Sequence, residues 1–278
     1  MRPFPIRLNS KSNSVQNRIA ALAFFFGALL LSAIPMRAQA PLRIAAAADL
    51  QPVLPPILDQ FQKATGIHAE ATYQASAALT TQIQNGAPFD LFLSADLGYP
   101  KRLIDLGLAD TTGVTGANRS SPITYARGTL VLWTRKDSHW PSPSLTTLTD
   151  PSLKRLAIAN PDRAPYGKAA IAALTSLKLL DQLKPKFVTA ENIAQTAQFA
   201  ETGNADAGLI SLTSAKTERL SAAGNYYVFD SKLYPAIDQG AAIVTKSTQR
   251  DQAHKFLEFL LSAPIQQQLA RSGLTPVH

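Results

Sequence analysis

From residue 42 onward, strand-like and helix-like apolar periods alternate, and this limits the folds open to the chain more than any other feature. The run LRIAAA reads as a short buried strand; Leu50, Val53, Leu54, Ile57, Leu58 and Phe61 then recur at the spacing of one helix face. Gly66 is placed to end that helix, and Pro55 with Pro56 predicts a kink or a break in it. IHAEATY alternates like a strand, Leu79 and Ile83 mark a second helix closed by NGAP, and FDLFLSAD is again a buried strand. A second series follows: GTLVLW, KRLAIAN, a helix from about Gly167 to Leu180, KFVTA, a helix from about Ile193, then DAGLIS. The C-terminal part returns with GAAIVT and a helix striped by Phe256, Leu257, Phe259 and Leu260. Strands and helices in turn, joined by short connections, imply parallel sheets covered by helices on both faces. The expected fold is α/β with two lobes, each a mostly parallel sheet flanked by helices. Residues 41–124 are expected to begin lobe 1, 125–228 to form lobe 2, and 229–278 to return to lobe 1.

Residues 1–40 read as a signal peptide. A basic, polar opening leads into the apolar run IAALAFFFGALLLSAIP, followed by the small-x-small pattern AQA ending at Ala40. A periplasmic location is therefore expected. The formal net charge of +8 owes five of its basic residues to this segment; beyond it, 22 basic residues face 19 acidic ones, scattered without a block. That pattern gives no basic nucleic-acid face. There is no cysteine, and both methionines, Met1 and Met36, lie in the leader, so the expected mature chain offers no sulfur ligand to a soft metal.

The sequence contains no G-x-S-x-G, Walker A, H-E-x-x-H or G-x-G-x-x-G motif, and its four histidines are widely separated. Asp90 and Asp96 flank a strand, where turn and cap roles are expected. No catalytic centre is expected, and no cofactor. What recurs instead is small or hydroxyl residues where a strand ends and a helix starts: AAAADL, YQASAAL with Ser76 at an expected N-cap, NPDRAPYGKAA, TAENIAQ, and GLISLTS with Ser211 and Thr213. In open α/β sheets ligands sit beyond the carboxyl ends of strands, where helix N-termini present free N–H groups. Several such junctions converging would make a site of neutral donors, suited to a small tetrahedral dianion whose oxygens only accept.

From about residue 42 to the end, the chain resembles the periplasmic molybdate-binding proteins of ABC import systems. The resemblance rests on AAAADL, QIQNGAPFDLFLSAD, PDRAPYG with its following helix, and FLEFLLSAPIQQQLARSGLTP, in the family's order and spacing. It implies the two-lobed periplasmic binding protein fold with an oxyanion in the interlobe cleft, capture of molybdate and tungstate, delivery to an inner-membrane ABC permease, and a monomer. Carried over by position, the family's oxyanion donors fall on Asp49 (or Ala48, if the loop is offset by one residue), on Ser76, on the backbone N–H groups of Tyr166 and Ile193, and on Ser211. The last replaces a tyrosine hydroxyl of some members, a contact either lost here or supplied by Tyr166. Molybdate would be met through its oxygens by these same residues.

Asp49 stands where the family has a serine, and a carboxylate repels an anion. Two unit charges about 4 Å apart cost roughly 4 kcal/mol at an effective dielectric of 20. An N-cap role, with the carboxylate turned onto N–H groups of its own helix, would avoid this and is the expected arrangement. The alternatives are a binding protein for another oxyanion such as sulfate or phosphonate and, more remotely, a hydrolase using Asp49 and Ser76.

Overall fold

A computed structural model describes residues 1, 3–5, 40–113 and 120–276. The expected signal peptide falls almost wholly outside the described residues, and among those no helix is long and apolar enough to cross a membrane. Residues 40–278 form one compact unit, and it holds two sheets.

The first sheet is built from β1 (Leu42–Ala47), β2 (Ala69–Gln74), β3 (Leu91–Ser94), β4 (Ala109–Asp110) and β5 (Ile123–Gly128), with β11 (Ile237–Val244) returning from the far end of the chain. Its order is β2-β1-β3-β11-β4, and β5 also pairs with β11. The second sheet runs β10-β6-β9-β7-β8, from β6 (Leu130–Arg135), β7 (Leu156–Ala159), β8 (Phe187–Ala190), β9 (Ala207–Ser211) and β10 (Gly224–Val228). Period-2 alternation sorts their side chains. Ile44, Leu91 and Leu93 join one core with Phe61, Phe256 and Leu257, while Ala45 and Phe92 face Leu79, Ile83 and Leu103 on the other side. In the second sheet Leu130, Leu132 and Leu209 pack on one face, and Val131, Trp133 and Ile210 on the other.

Two expectations need correction. The sheets are mixed rather than mostly parallel: β1 pairs in parallel with β2 and β3, and β7 with β8 and β9, but β11 runs antiparallel to β3, β4 and β5, and β6 antiparallel to β9 and β10. The reason lies in the crossings, because β6 enters the second sheet and β11 re-enters the first from the opposite lobe, without the helical crossover that sets a strand parallel. β5 also keeps the chain in the first sheet as far as Gly128, a few residues past position 124, because its residues pair with β11.

The helices that matter for the site follow strands directly. They are α1 (Leu54–Thr65), α2 (Ser76–Gln84) after β2, α3 (Gly98–Asp105) after β3, α4 (Pro165–Ser176) after β7, α5 (Ile193–Glu201) after β8, and α6 (Leu212–Ala215) after β9. Pro55 and Pro56 break the expected Leu50–Phe61 helix. The regular part starts at Leu54, which places both rings in the first turn, where a missing N–H costs nothing. Gly66 closes α1 at φ +73°, its N–H on the carbonyl of Gln62.

Candidate functional site

Four strand-to-helix junctions meet around one small cavity between the sheets. Its lining includes Ala48 and Asp49 after β1, Ala75 and Ser76 after β2, Pro165 and Tyr166 opening α4, and Asn192 and Ile193 opening α5. Five of the six residues expected at the site therefore face the same space. Ser211 does not: its hydroxyl is buried at the start of α6, accepting from the N–H of Ser214 and bonded to the Thr213 and Ser214 hydroxyls.

The alanines explain how the walls come so close. With nothing larger than a methyl group at positions 47, 48, 75, 95 and 164, backbone itself forms much of the surface. The free space between these walls is small, about 10 Å³, room for about one water. No Lys, Arg or His is among its described lining residues. Positive potential comes instead from three helix N-termini, where first-turn N–H groups have no intrahelical acceptor. The first intrahelical bonds run from Leu79 to Ala75, from Lys168 to Ala164 and from Thr196 to Asn192, so the N–H groups of Ser76, Tyr166 and Ile193 precede them.

Ser76 is the first residue of its helix rather than the cap. Ala75 takes the extended cap position, and the Ser76 hydroxyl accepts from the Ala95 N–H at 3.1 Å, tying α2 to the end of β3. Its own proton remains available for a ligand, and no basic side chain bonds to it. Asn192 caps α5 by accepting from Gln195 N–H at 3.0 Å, which leaves the Ile193 N–H unused by the cap. Asp96 has the expected local role, accepting from the Tyr99 N–H at the start of α3, whereas Asp90 is a buried tertiary tie that accepts from the Arg43 N–H and the Ser247 hydroxyl.

Asp49 overturns the expected cap. It lies in a short 3-10 turn, Ala48–Leu50, and makes no side-chain bond to a helix end. The prolines delay α1 to Leu54, which leaves no helix N–H within its reach. Its fully buried carboxylate instead points across the cleft: Oδ2 accepts from the Tyr166 hydroxyl at 3.1 Å and from Nε2 of Gln239. Oδ1 has no partner. Burial pushes this carboxyl up to about 6, against the opposing pull of the Gln239 and Tyr166 hydrogen bonds. Burial, with the charge of Asp49 added, pushes the Tyr166 and Tyr125 hydroxyls well above their usual range, so both stay protonated at neutral pH.

Further bonds clamp the lobes together here. Thr213 Oγ1 donates to the Asp49 carbonyl at 2.8 Å, and Ala77 N–H to the Arg163 carbonyl at 3.2 Å. Gln239 lies outside what the sequence reading assigned, and so does the bond from the Tyr166 hydroxyl to Asp49, since that hydroxyl was considered only as a ligand contact. Nothing local marks Gln239, which reaches the site only because β11 re-enters the first sheet. Thr213 was noted as a hydroxyl at a junction but not as a bond to Asp49.

A bacterial extracellular solute-binding protein family model matches residues 42–275. The chain belongs to that family. Its relatives include the molybdate-binding protein ModA of Azotobacter vinelandii, 34% identical over 242 residues, 87% of this chain and 92% of the relative. ModA of Rhodobacter capsulatus is 35% identical over 200 residues, 72% of this chain and 74% of the relative. The solved periplasmic molybdate-binding protein of Azotobacter vinelandii superposes with a TM-score of 0.78 at 28% identity, covering 85% of this chain and all of that one. This family member thus has the periplasmic binding protein fold.

Proposed function

We propose that this protein is an exported solute-binding protein that captures molybdate, and tungstate with it, in the cavity at the four junctions and delivers it to an inner-membrane ABC permease. The observation that carries this reading is the convergence of strand-to-helix junctions on one cavity that offers neutral donors and no cationic side chain. Each oxygen of a tetrahedral dianion can only accept, and backbone N–H groups at three helix starts plus the Ser76 hydroxyl are donors gathered around this space. The ModA relatives carry the choice of molybdate over other oxyanions.

Thermal melts with molybdate, tungstate, sulfate and phosphate test the reading. A ligand held at a hundred times its dissociation constant stabilises by about 2.7 kcal/mol. Molybdate and tungstate should raise the melt strongly and sulfate and phosphate should not; a response to sulfate or phosphate alone overturns the choice of ligand. Ser76→Ala removes a neutral donor to a charged acceptor and should weaken molybdate binding by about 1.5–3 kcal/mol, tenfold or more. Unchanged affinity by calorimetry would reduce Ser76 to its bond with Ala95. Ile193→Val should leave affinity nearly intact, because its contact is through the backbone.

A further inference from the structure

Asp49 is a cavity residue with an anomaly: it is fully buried, lines the space assigned to an anion, and has no cation to balance it. One carboxylate oxygen is saturated by two donors from opposite lobes, Tyr166 on α4 and Gln239 on β11. The other, Oδ1, is buried and lacks any partner in the protein. A bare carboxylate oxygen beside a dianion is repulsive, whereas the same atom carrying a proton is one more donor. We propose that Asp49 meets the bound oxyanion as a neutral carboxylic acid, its Oδ1–H donating to a ligand oxygen, so that capture of a fully deprotonated dianion takes up one proton from solvent.

This rests on the oxyanion reading of the cavity and adds to it how the ligand's charge is managed. The groups that bond to Asp49 or feel its charge agree. Tyr166 from α4 donates to Oδ2, and its own proton is held too tightly to be released. Tyr125 from β5 donates to the Ser94 carbonyl and feels the charges of both Asp49 and Asp96. Gln239 from β11 is uncharged, and Thr213 from α6 reaches the backbone carbonyl of Asp49 rather than its carboxylate. No Lys, Arg or His among the described residues bonds to the carboxylate. With Oδ2 committed to two donors, Oδ1 is where the proton goes. The empty-site carboxyl is already displaced upward to about 6 by burial, and a neighbouring dianion displaces it further in the same direction.

Calorimetric titration of the protein with molybdate at pH 8, in buffers of different ionisation enthalpy, counts the protons exchanged. About one proton taken up per molybdate is expected, with affinity falling about tenfold for each pH unit between 7 and 8.5. Asp49→Asn, which carries an N–H donor without titrating, should take up none and bind with an affinity nearly independent of pH. Tight molybdate binding by the wild type with no proton uptake overturns the protonated acid while leaving the oxyanion reading standing. Unchanged uptake in Asp49→Asn places the proton elsewhere and overturns it as well. If the wild type binds no oxyanion at any pH, both readings fall. The wild-type count is decisive by itself, so the test does not depend on the variant folding.

Discussion

In the absence of ligand, Asp49→Asn should be more stable than the wild type at pH 8, by about 3 kcal/mol, and the gain should vanish near pH 4. The sign follows from the buried carboxyl. Its folded value of about 6 lies above the ordinary 3.8, so between those values the folded protein holds a proton that the unfolded chain has released. Stability referred to this group is complete below pH 4 and declines as pH rises through 6, because a charge is then held away from water with no cationic partner. Two pH units of displacement correspond to about 3 kcal/mol. Asparagine keeps an acceptor for Tyr166 and Gln239 and never ionises, so it escapes that loss. Urea denaturation of both proteins at pH 4, 6 and 8 measures the gap directly, and effects of other acids on either curve cancel in the difference. Equal stability at pH 8 would mean that the hydrogen bonds to the buried carboxylate compensate its charge in the folded state.

The same residue shows where sequence reading stops. The four junctions were legible because a strand end, a small residue and a helix start are local signals, and the open α/β architecture places such ends on one side of a sheet. The stretches that hold Ala48, Ser76, Tyr166 and Ile193 could be grouped on that logic, and the family resemblance then singled out the residues within them. The direction of the Asp49 side chain could not. It depends on Tyr166, 117 residues away, and on Gln239, 190 residues away, and on β11 crossing back between lobes. The antiparallel pairing of β5 and β11 was hidden for the same reason, since hydrophobic period reveals a strand but not its partner. Ser76 was placed one position early: a serine before an apolar helix reads as a cap, but its hydroxyl is engaged by the Ala95 N–H from another strand. Ser211 failed differently. Position relative to the family pointed to the cleft, whereas two neighbouring hydroxyls, of Thr213 and Ser214, hold it in a local network at the start of α6.

Gly167→Ala should cost stability near the top of the range of about 1–3 kcal/mol for overpacked cores and should abolish the molybdate-induced rise in melting temperature. Gly167 is the third residue of α4. A methyl group there would overlap the carbonyl oxygen of Ala159 and lie 2.9 Å from the carbonyl carbon of Asn160. Both are backbone atoms at the end of β7, so no rotamer change relieves the overlap. The start of α4 must retreat from the strand, taking with it Pro165, the Tyr166 N–H and the hydroxyl that holds Asp49. Gly128→Ala would act on the same tyrosine from the opposite side, because its new Cβ would overlap the Tyr166 hydroxyl. Gly66→Ala is the control: φ there is +73°, yet nothing lies within 4 Å of the added methyl. It should cost about 1 kcal/mol for the left-handed backbone and leave the ligand response intact. Melts of the three variants with and without molybdate separate the cases. A full ligand response in Gly167→Ala would mean that the close seating of α4 against β7 is not what places the Tyr166 donors in the cavity.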